Sequence, residues 1–137
     1  MKVLIDTNII LDFLTQRQPY YESAERIFKM CSEKTLDGCI AAHSIMNSFY
    51  ILRKTYSALE RREMLKNICE ITSVIGIDRS KLIRAMDNIE FKDMEDCLQT
   101  ECAVSYDAEY IVTRNVKDFT NSAIKALTPD ELLEKII

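Results

Sequence analysis

The spacing of apolar residues changes repeatedly along the chain. Val3, Leu4 and Ile5 form an unbroken run closed by Asp6, after which Ile9, Ile10, Phe13 and Leu14 recur at helical spacing. A short β-branched-rich run followed by a 3.6-residue period predicts a buried strand over residues 2–6 and a helix over about 8–15. Pro19 opens a second helix whose apolar stripe is Tyr20, Ala24, Ile27, Phe28 and Cys31. Gly38 interrupts that pattern before a short candidate strand, Cys39-Ile40-Ala41-Ala42. Ser44 is then expected to cap a helix that turns Ile45, Phe49, Ile51 and Leu52 inward. Another helix follows over about 57–71, then a third strand, Val74-Ile75-Gly76-Ile77, ending at Asp78. Helices over about 79–89 and 93–106 come next, the latter expected to bury Met94, Cys97, Leu98, Cys102 and Val104. Tyr110-Ile111-Val112-Thr113 reads as a fourth strand and Ile124-Lys125-Ala126-Leu127 as a weak fifth. Thr128, Pro129 and Glu131 give the last helix a capping box with proline in its first turn. Strands separated by helices predict a parallel sheet covered on both faces, a three-layer α/β/α sandwich of about five short strands.

Composition narrows the class. The 137 residues suit a single domain spanning 1–137, with 47% hydrophobic and 29% charged residues arguing against disorder. Two glycines and two prolines leave little room for long irregular loops. The net charge of −4 departs from the basic balance of a duplex-binding module, yet leaves open a nuclease with an acidic metal pocket and a local positive rim. The five cysteines contain no Cys-x-x-Cys pair, and His43 is the sole histidine, which together speak against zinc. Reduced, mostly buried thiols in a cytoplasmic protein are the expectation. No signal-peptide pattern is found at the N-terminus, and no apolar run reaches the ~18 residues that a membrane span needs.

The candidate chemistry is carboxylate chemistry at element ends. Asp6 and Asn8 stand where a strand passes into a helix, and the carboxyl edge of a parallel sheet is where ligands bind. Asp93 and Asp96, three residues apart, project from one side of a helix start. First-turn acids also complement the helix dipole, so for Asp93 capping and function are both open, whereas Asp96 lies deeper than a cap needs to be. Asn115 and Asp118 follow the fourth strand, where they form either a plain turn or part of a site, and Thr113 at its end is either a β-branched strand residue or a hydroxyl placed on a pocket-bound water or scissile phosphate. Acids gathered at one sheet edge repel unless a cation holds them, and carboxylate and amide oxygens suit Mg²⁺ or Mn²⁺. Such an ion activates water for phosphodiester hydrolysis. Neither a P-loop nor a G-x-G-x-x-G motif is present, and Asn8 stands where a haloacid-dehalogenase-like phosphatase carries its second Asp.

Three segments, Val3-Leu4-Ile5-Asp6-Thr7-Asn8, Asp93-Met94-Glu95-Asp96-Cys97-Leu98-Gln99 and Ile111-Val112-Thr113-Arg114-Asn115-Val116-Lys117-Asp118-Phe119, together resemble the PIN-domain family in order and spacing over essentially the whole chain. The resemblance implies a Mg²⁺- or Mn²⁺-dependent endoribonuclease. In bacteria it further implies the toxin half of a type II toxin–antitoxin pair, similar to VapC, often homodimeric and inhibited by a small antitoxin. On that resemblance Asp6 matches the first metal-binding acid, Asn8 its polar companion and Asp96 the acid of the later helix. Asp118, or Asn115 with it, matches the fourth acidic position. Asn47 stands where the family carries a glutamate, an exchange that keeps an oxygen donor and removes a charge. The implied site then binds metal more weakly, relies on Asp93, or holds a single ion.

Lys92, Arg114 and Lys117 are the cations nearest these acids, available either to an RNA backbone or to the neighbouring carboxylates. Arg53-Lys54 and Arg61-Arg62 read as a solvated helix face, Glu95 as solvated, and Tyr20, Tyr21, Phe49 and Tyr50 as packing or subunit contacts. Two rivals to the nuclease remain: a non-catalytic PIN-like module that binds RNA or protein, for which the Asn47 exchange speaks, and a small phosphatase.

Overall fold

The structure is a computed structural model and describes residues 1–136. Five strands, β1 (Lys2–Ile5), β2 (Asp37–Ala41), β3 (Ser73–Ile75), β4 (Tyr110–Val112) and β5 (Lys125–Leu127), form one parallel sheet in the order β3-β2-β1-β4-β5. The helices are α1 (Thr7–Leu14), α2 (Tyr21–Ser32), α3 (Ala42–Ile51), α4 (Ala58–Ile71), α5 (Arg79–Asp87), α6 (Met94–Ser105) and α7 (Pro129–Ile136). Short 3₁₀ turns cover Leu52–Lys54 and Val116–Phe119. The chain builds outward from β1 to β3, crosses back to β4 beside β1, and continues outward to β5. The strand order therefore reverses between β1 and β4, and a crevice opens beyond their carboxyl ends.

The two-residue alternation of strand side chains sorts the core into two unequal layers. Val3, Ile5, Ile40, Val112 and Leu127 face one side, packing with Ile9, Ile27, Phe28, Leu65, Ile68 and Leu132 of α1, α2, α4 and α7. Leu4, Cys39, Ala41, Ile111 and Ala126 face the other, against Cys102 and Ala103 of α6. The second set is smaller, so α6 lies close over the sheet. With helices on both faces, the fold is a three-layer α/β/α sandwich. Gly38 serves a close approach on the first face, where a Cβ would come within 2.6 Å of Cys31 Sγ and 3.1 Å of Ile5 Cδ1.

Several expectations change. Ser44 does not cap α3, which begins at Ala42 after Ala41, with no side-chain cap; Ser44 lies in the first turn and is wholly buried, while Ile51 at the end of α3 and Tyr20, which precedes α2, are exposed rather than turned inward. Met94 and Val104 are exposed, 38% and 46%. Each stands five residues from the fully buried Gln99, which places it about 140° round the helix. β3 spans Ser73–Ile75 rather than 74–77, and as an edge strand it leaves Val74 42% exposed. Arg61 is half-buried, not solvated: its guanidinium donates to Phe49 O at 2.7 Å and lies over the Phe49 ring, closing the end of α3. The five cysteines are free, all but Cys69 buried. Among the described residues no helix is long and apolar enough to cross a membrane.

Candidate active site

Alternation and helical period together decide what meets in the crevice. Leu4 and Ile111 point toward α6, so Asp6 and Thr113, two residues further along each strand line, point the same way. On α6 the sheet-facing stripe runs Asp96, Gln99 and Ala103, at helical i, i+3, i+7 spacing. The end of β1, the end of β4 and the start of α6 therefore deliver Asp6, Thr113, Gln99 and Asp96 to one place.

Asp6 is 7% exposed and caps α1, accepting a hydrogen bond from Thr7 N at 2.8 Å. The same oxygen, Oδ1, accepts from Gln99 Nε2 at 2.9 Å. Its other oxygen, Oδ2, accepts from Thr113 Oγ1 at 2.8 Å and from Asn8 Nδ2 at 3.3 Å. The Thr113 hydroxyl in turn accepts from Asn8 Nδ2 at 3.2 Å and Asn115 N at 3.0 Å. Burial raises the Asp6 carboxyl above its usual range, and the donors from Thr113, Thr7 and Gln99 pull it back. Beneath it, Gln99 Nε2 and Thr7 Oγ1 both donate to Ser44 Oγ at 2.8 Å, joining α6, α1 and α3.

Asp93, Asp96 and Asp118 line a cleft of about 440 Å³ with Glu90, Phe91, Lys92 and Lys117. Asp93 caps α6 by accepting from Glu95 N at 2.8 Å, so its capping role is realised while it also faces the cleft. Burial, followed by repulsion from Asp93, Asp6, Asp118 and Glu95, pushes Asp96 up to about 7. That mutual influence ties the buried Asp6 to the acids of the cleft. Among the described residues, none of Asp6, Asp93, Asp96 and Asp118 has a Lys, Arg or His partner at ion-pair distance. Glu95 is half-buried rather than solvated and lies 3.8 Å from His43 Nε2. Burial lowers the His43 pKa, against the pull of Glu95 and Asp93.

The remaining sequence candidates separate. Lys117 borders the acid cleft and, with Asn115 and Asp118, an adjoining hollow of about 560 Å³. Arg114 does not extend into the cleft. Its Nε and Nη2 donate to Asp12 at 2.6 and 3.2 Å, and its guanidinium stacks 4.4 Å from the Tyr20 ring centre. A bidentate pair with a fully buried carboxylate engages a group that the sequence leaves open to RNA or to neighbouring carboxylates, and Arg114 borders the adjoining hollow beside Asn115 and Lys117. Asn47 sits on α3 one turn beyond His43 and is not among the residues lining the cleft. Gln99, Ser44, Thr7 and Asp12 were not anticipated. Their signal was polarity on a buried stripe: Asp12 interrupts the apolar face of α1, and Gln99 repeats the side of Asp96 one turn later.

The donor set bears on which ion such a place would take. Among the described residues no three His, Cys, Asp or Glu side chains form a ready-made ligand cluster. What the cleft does offer is carboxylate oxygen without cationic partners, with repulsion that a bound cation would relieve. Those donors fit a hard divalent ion with water completing its shell, and do not fit zinc.

A family model for the PIN domain matches residues 2–117. No curated protein matches the chain in sequence. Among solved structures, the chain is similar to a toxin–antitoxin complex from Klebsiella pneumoniae, at 22% identity and a TM-score of 0.68, over 93% of this chain and 97% of that one. It is also similar to DNA-bound VapBC from Salmonella typhimurium, at 16% identity and a TM-score of 0.69, over 94% and 98%. VapC20 of Mycobacterium tuberculosis, described as a sarcin–ricin loop cleaving toxin, shares 9% identity with a TM-score of 0.63, over 80% and 86%. At these identities the structural likeness is one of fold, whereas the family model spans most of the sequence. The chain belongs to the PIN-domain family.

Proposed function

We propose that this protein is a divalent-metal-dependent endoribonuclease, the toxin component of a type II toxin–antitoxin system acting in the cytoplasm. The observation that carries this reading is the acid cleft at the sheet's switch point, where Asp96 is raised to about 7 by burial and by Asp93, Asp6 and Asp118. A Mg²⁺ or Mn²⁺ ion there would supply a water nucleophile at neutral pH and offset charge on the phosphoryl group. Asp6, Asp96 and Asp118 are the residues that would hold it, with Asp93 and Asn115 as further oxygen donors; Asn47, outside the cleft lining, would reach the ion only through water. Thr113 and Asn8 keep Asp6 oriented. Lys92 and Lys117, on the walls of the same cleft, are placed to meet the RNA backbone.

The toxin reading draws on the neighbours that are toxin–antitoxin complexes. A partly apolar groove of about 370 Å³ lined by Ile45, Met46, Phe49, Leu65 and Cys69, with Arg62 and Lys66 beside it, suits an amphipathic acidic segment of a small antitoxin. The exposed Tyr50 and Ile51 on α3, outside that groove, suit a homodimer contact. Incubation of RNA with Mn²⁺ or Mg²⁺ tests the activity: cleavage is expected, and EDTA, Asp6→Ala or Asp96→Ala should abolish it while circular dichroism shows a folded chain. Cleavage that survives EDTA or both substitutions refutes the proposal.

A second reading, a non-catalytic PIN-like module, is favoured by Asn47 and by the lack of a ready-made cluster among the described residues. Calorimetry showing no divalent binding at millimolar metal would select it.

A further inference from the structure

Gln99 presents a problem of economy. It is 0% exposed on the stripe of α6 that otherwise packs Cys102 and Ala103 onto the sheet, where an apolar side chain of the same volume would fit. Instead, its amide nitrogen is surrounded by three acceptors: Asp6 Oδ1 at 2.9 Å, Ser44 Oγ at 2.8 Å and Thr7 Oγ1 at 3.4 Å. Turning the amide over would set two acceptors face to face at 2.9 Å, so the nitrogen must point this way when Asp6 is ionised. In that orientation Oε1 is buried without a hydrogen-bond partner among the described residues. A buried polar group left unsatisfied is uncommon and costly. The side chain thus sacrifices its own acceptor to keep its donor on the carboxylate.

The placement connects three elements. Gln99 lies one turn after Asp96 on α6. Ser44, which receives its second hydrogen bond, lies three residues before Asn47 on α3. Asp6 ends β1. One amide therefore fixes the carboxylate at the strand end relative to the helices that bear Asp96 and Asn47, and it does so from the side opposite Thr113 and Asn8.

We propose that Gln99, anchored by Ser44, is a positioning residue that fixes the Asp6 carboxylate for the metal-dependent reaction, an inference that rests on the nuclease reading above. Outer partners that orient a ligating carboxylate commonly change metal affinity or activity by ~10–100-fold when removed. The site thereby extends inward to the Gln99–Ser44–Thr7 group, none of which reaches the cleft itself.

The test replaces the donor while keeping the volume. Gln99→Met, Ser44→Ala and the control Ser105→Ala, an α6 residue whose hydroxyl donates only to Cys102 O of its own helix, are compared with the unmodified protein. Each is titrated with MnCl₂ alone by calorimetry, assayed on RNA for kcat and KM, and melted. Gln99→Met is expected to stay folded, lose Mn²⁺ affinity by ~10–100-fold and lower kcat, with KM for RNA changing by no more than about twofold. Ser44→Ala should move both quantities in the same direction by less, and Ser105→Ala neither. A folded Gln99→Met with unchanged Mn²⁺ affinity and kcat makes Gln99 a packing residue and overturns the inference. Should Gln99→Met fail to fold, unchanged affinity and kcat in Ser44→Ala overturn it instead. Absence of both Mn²⁺ binding and RNA cleavage in the unmodified protein overturns the nuclease reading, and this inference with it; the wild-type titration tells that failure from the other.

Discussion

Asp96→Asn should make this protein more stable at pH 8 and inactive at every pH. The folded protein retains the Asp96 proton up to about pH 7, because burial and four neighbouring acids oppose the charge. The unfolded chain releases the same proton near the ordinary value of 3.8. The folded state therefore binds more protons between these values, so its stability is fully present below the unfolded pKa and declines as pH rises through 7. A shift of this size would be worth about 4 kcal/mol at ~1.36 kcal/mol per pH unit, but Asp96 is only part-buried and solvent screening reduces it to about 1–2 kcal/mol. Asparagine removes the charge and keeps the shape. Among the described residues the Asp96 carboxylate accepts no hydrogen bond that this exchange would forfeit. With an unfolding entropy of ~2.1 cal/mol/K per residue, 1–2 kcal/mol corresponds to a Tm rise of about 3–7 °C for a chain this size. Calorimetric melting in EDTA at pH 8 and pH 5 measures it. The gain should be present at pH 8 and fade at pH 5, where the natural residue is itself protonated. A Tm that falls at pH 8, or a gain equal at both pH values, refutes the argument that burial of the Asp96 carboxylate, with repulsion from its acidic neighbours, destabilises the charged form.

Two further outcomes follow from the same geometry. Asp12→Ala removes the partner of Arg114, whose side chain is 22% exposed against 1% for Asp12. Breaking a buried pair on one side costs about 3–5 kcal/mol, and the partial exposure of the cation sets the expectation near the lower end; urea unfolding checks it, and a loss below about 1 kcal/mol would make the pair dispensable. Asn47→Glu restores the charge that the family carries at this place and should tighten Mn²⁺ binding in calorimetry. Unchanged or weaker binding would mean that residue 47 contributes nothing to the ion.

Much of the fold was legible because the sheet is built from uninterrupted apolar runs and the helices from amphipathic ones. Val3–Ile5 and Tyr110–Val112 could hardly be anything but buried strands, and their last residues already marked the crevice. The errors lie where burial is divided unevenly. Met94 and Val104 are apolar residues outside the sheet-facing stripe, and hydrophobicity by itself does not say which way a helix is turned. Ser44 has the chemistry of a cap, but its hydroxyl finds Thr7 and Gln99 by tertiary contact, and local pattern carries no trace of that. Arg114 followed a strand beside candidate acids, as an RNA-binding cation would. Its actual partner, Asp12, is 102 residues earlier, on the helix that follows β1, and only the adjacency of β1 and β4 brings the two together.

That adjacency also explains how a buried carboxylate survives without a cation. A carboxylate has about four lone-pair positions, and Asp6 fills them with four neutral donors, two on each oxygen. The two oxygens are not held alike. Oδ1 is gripped from inside by the α1 backbone and by Gln99, at 2.8 and 2.9 Å. Oδ2 has one firm partner, Thr113 at 2.8 Å, and one loose one, the Asn8 amide at 3.3 Å, which divides its donor with the Thr113 hydroxyl. Asn8 is only part-buried, so its amide can turn to solvent while the other three donors stay in place. The acid is therefore rigid on the side that faces the core and exchangeable on the side that Asn8 covers. That is the asymmetry a ligand-exchanging carboxylate needs, since releasing the weakest of four hydrogen bonds frees one lone pair without unseating the group.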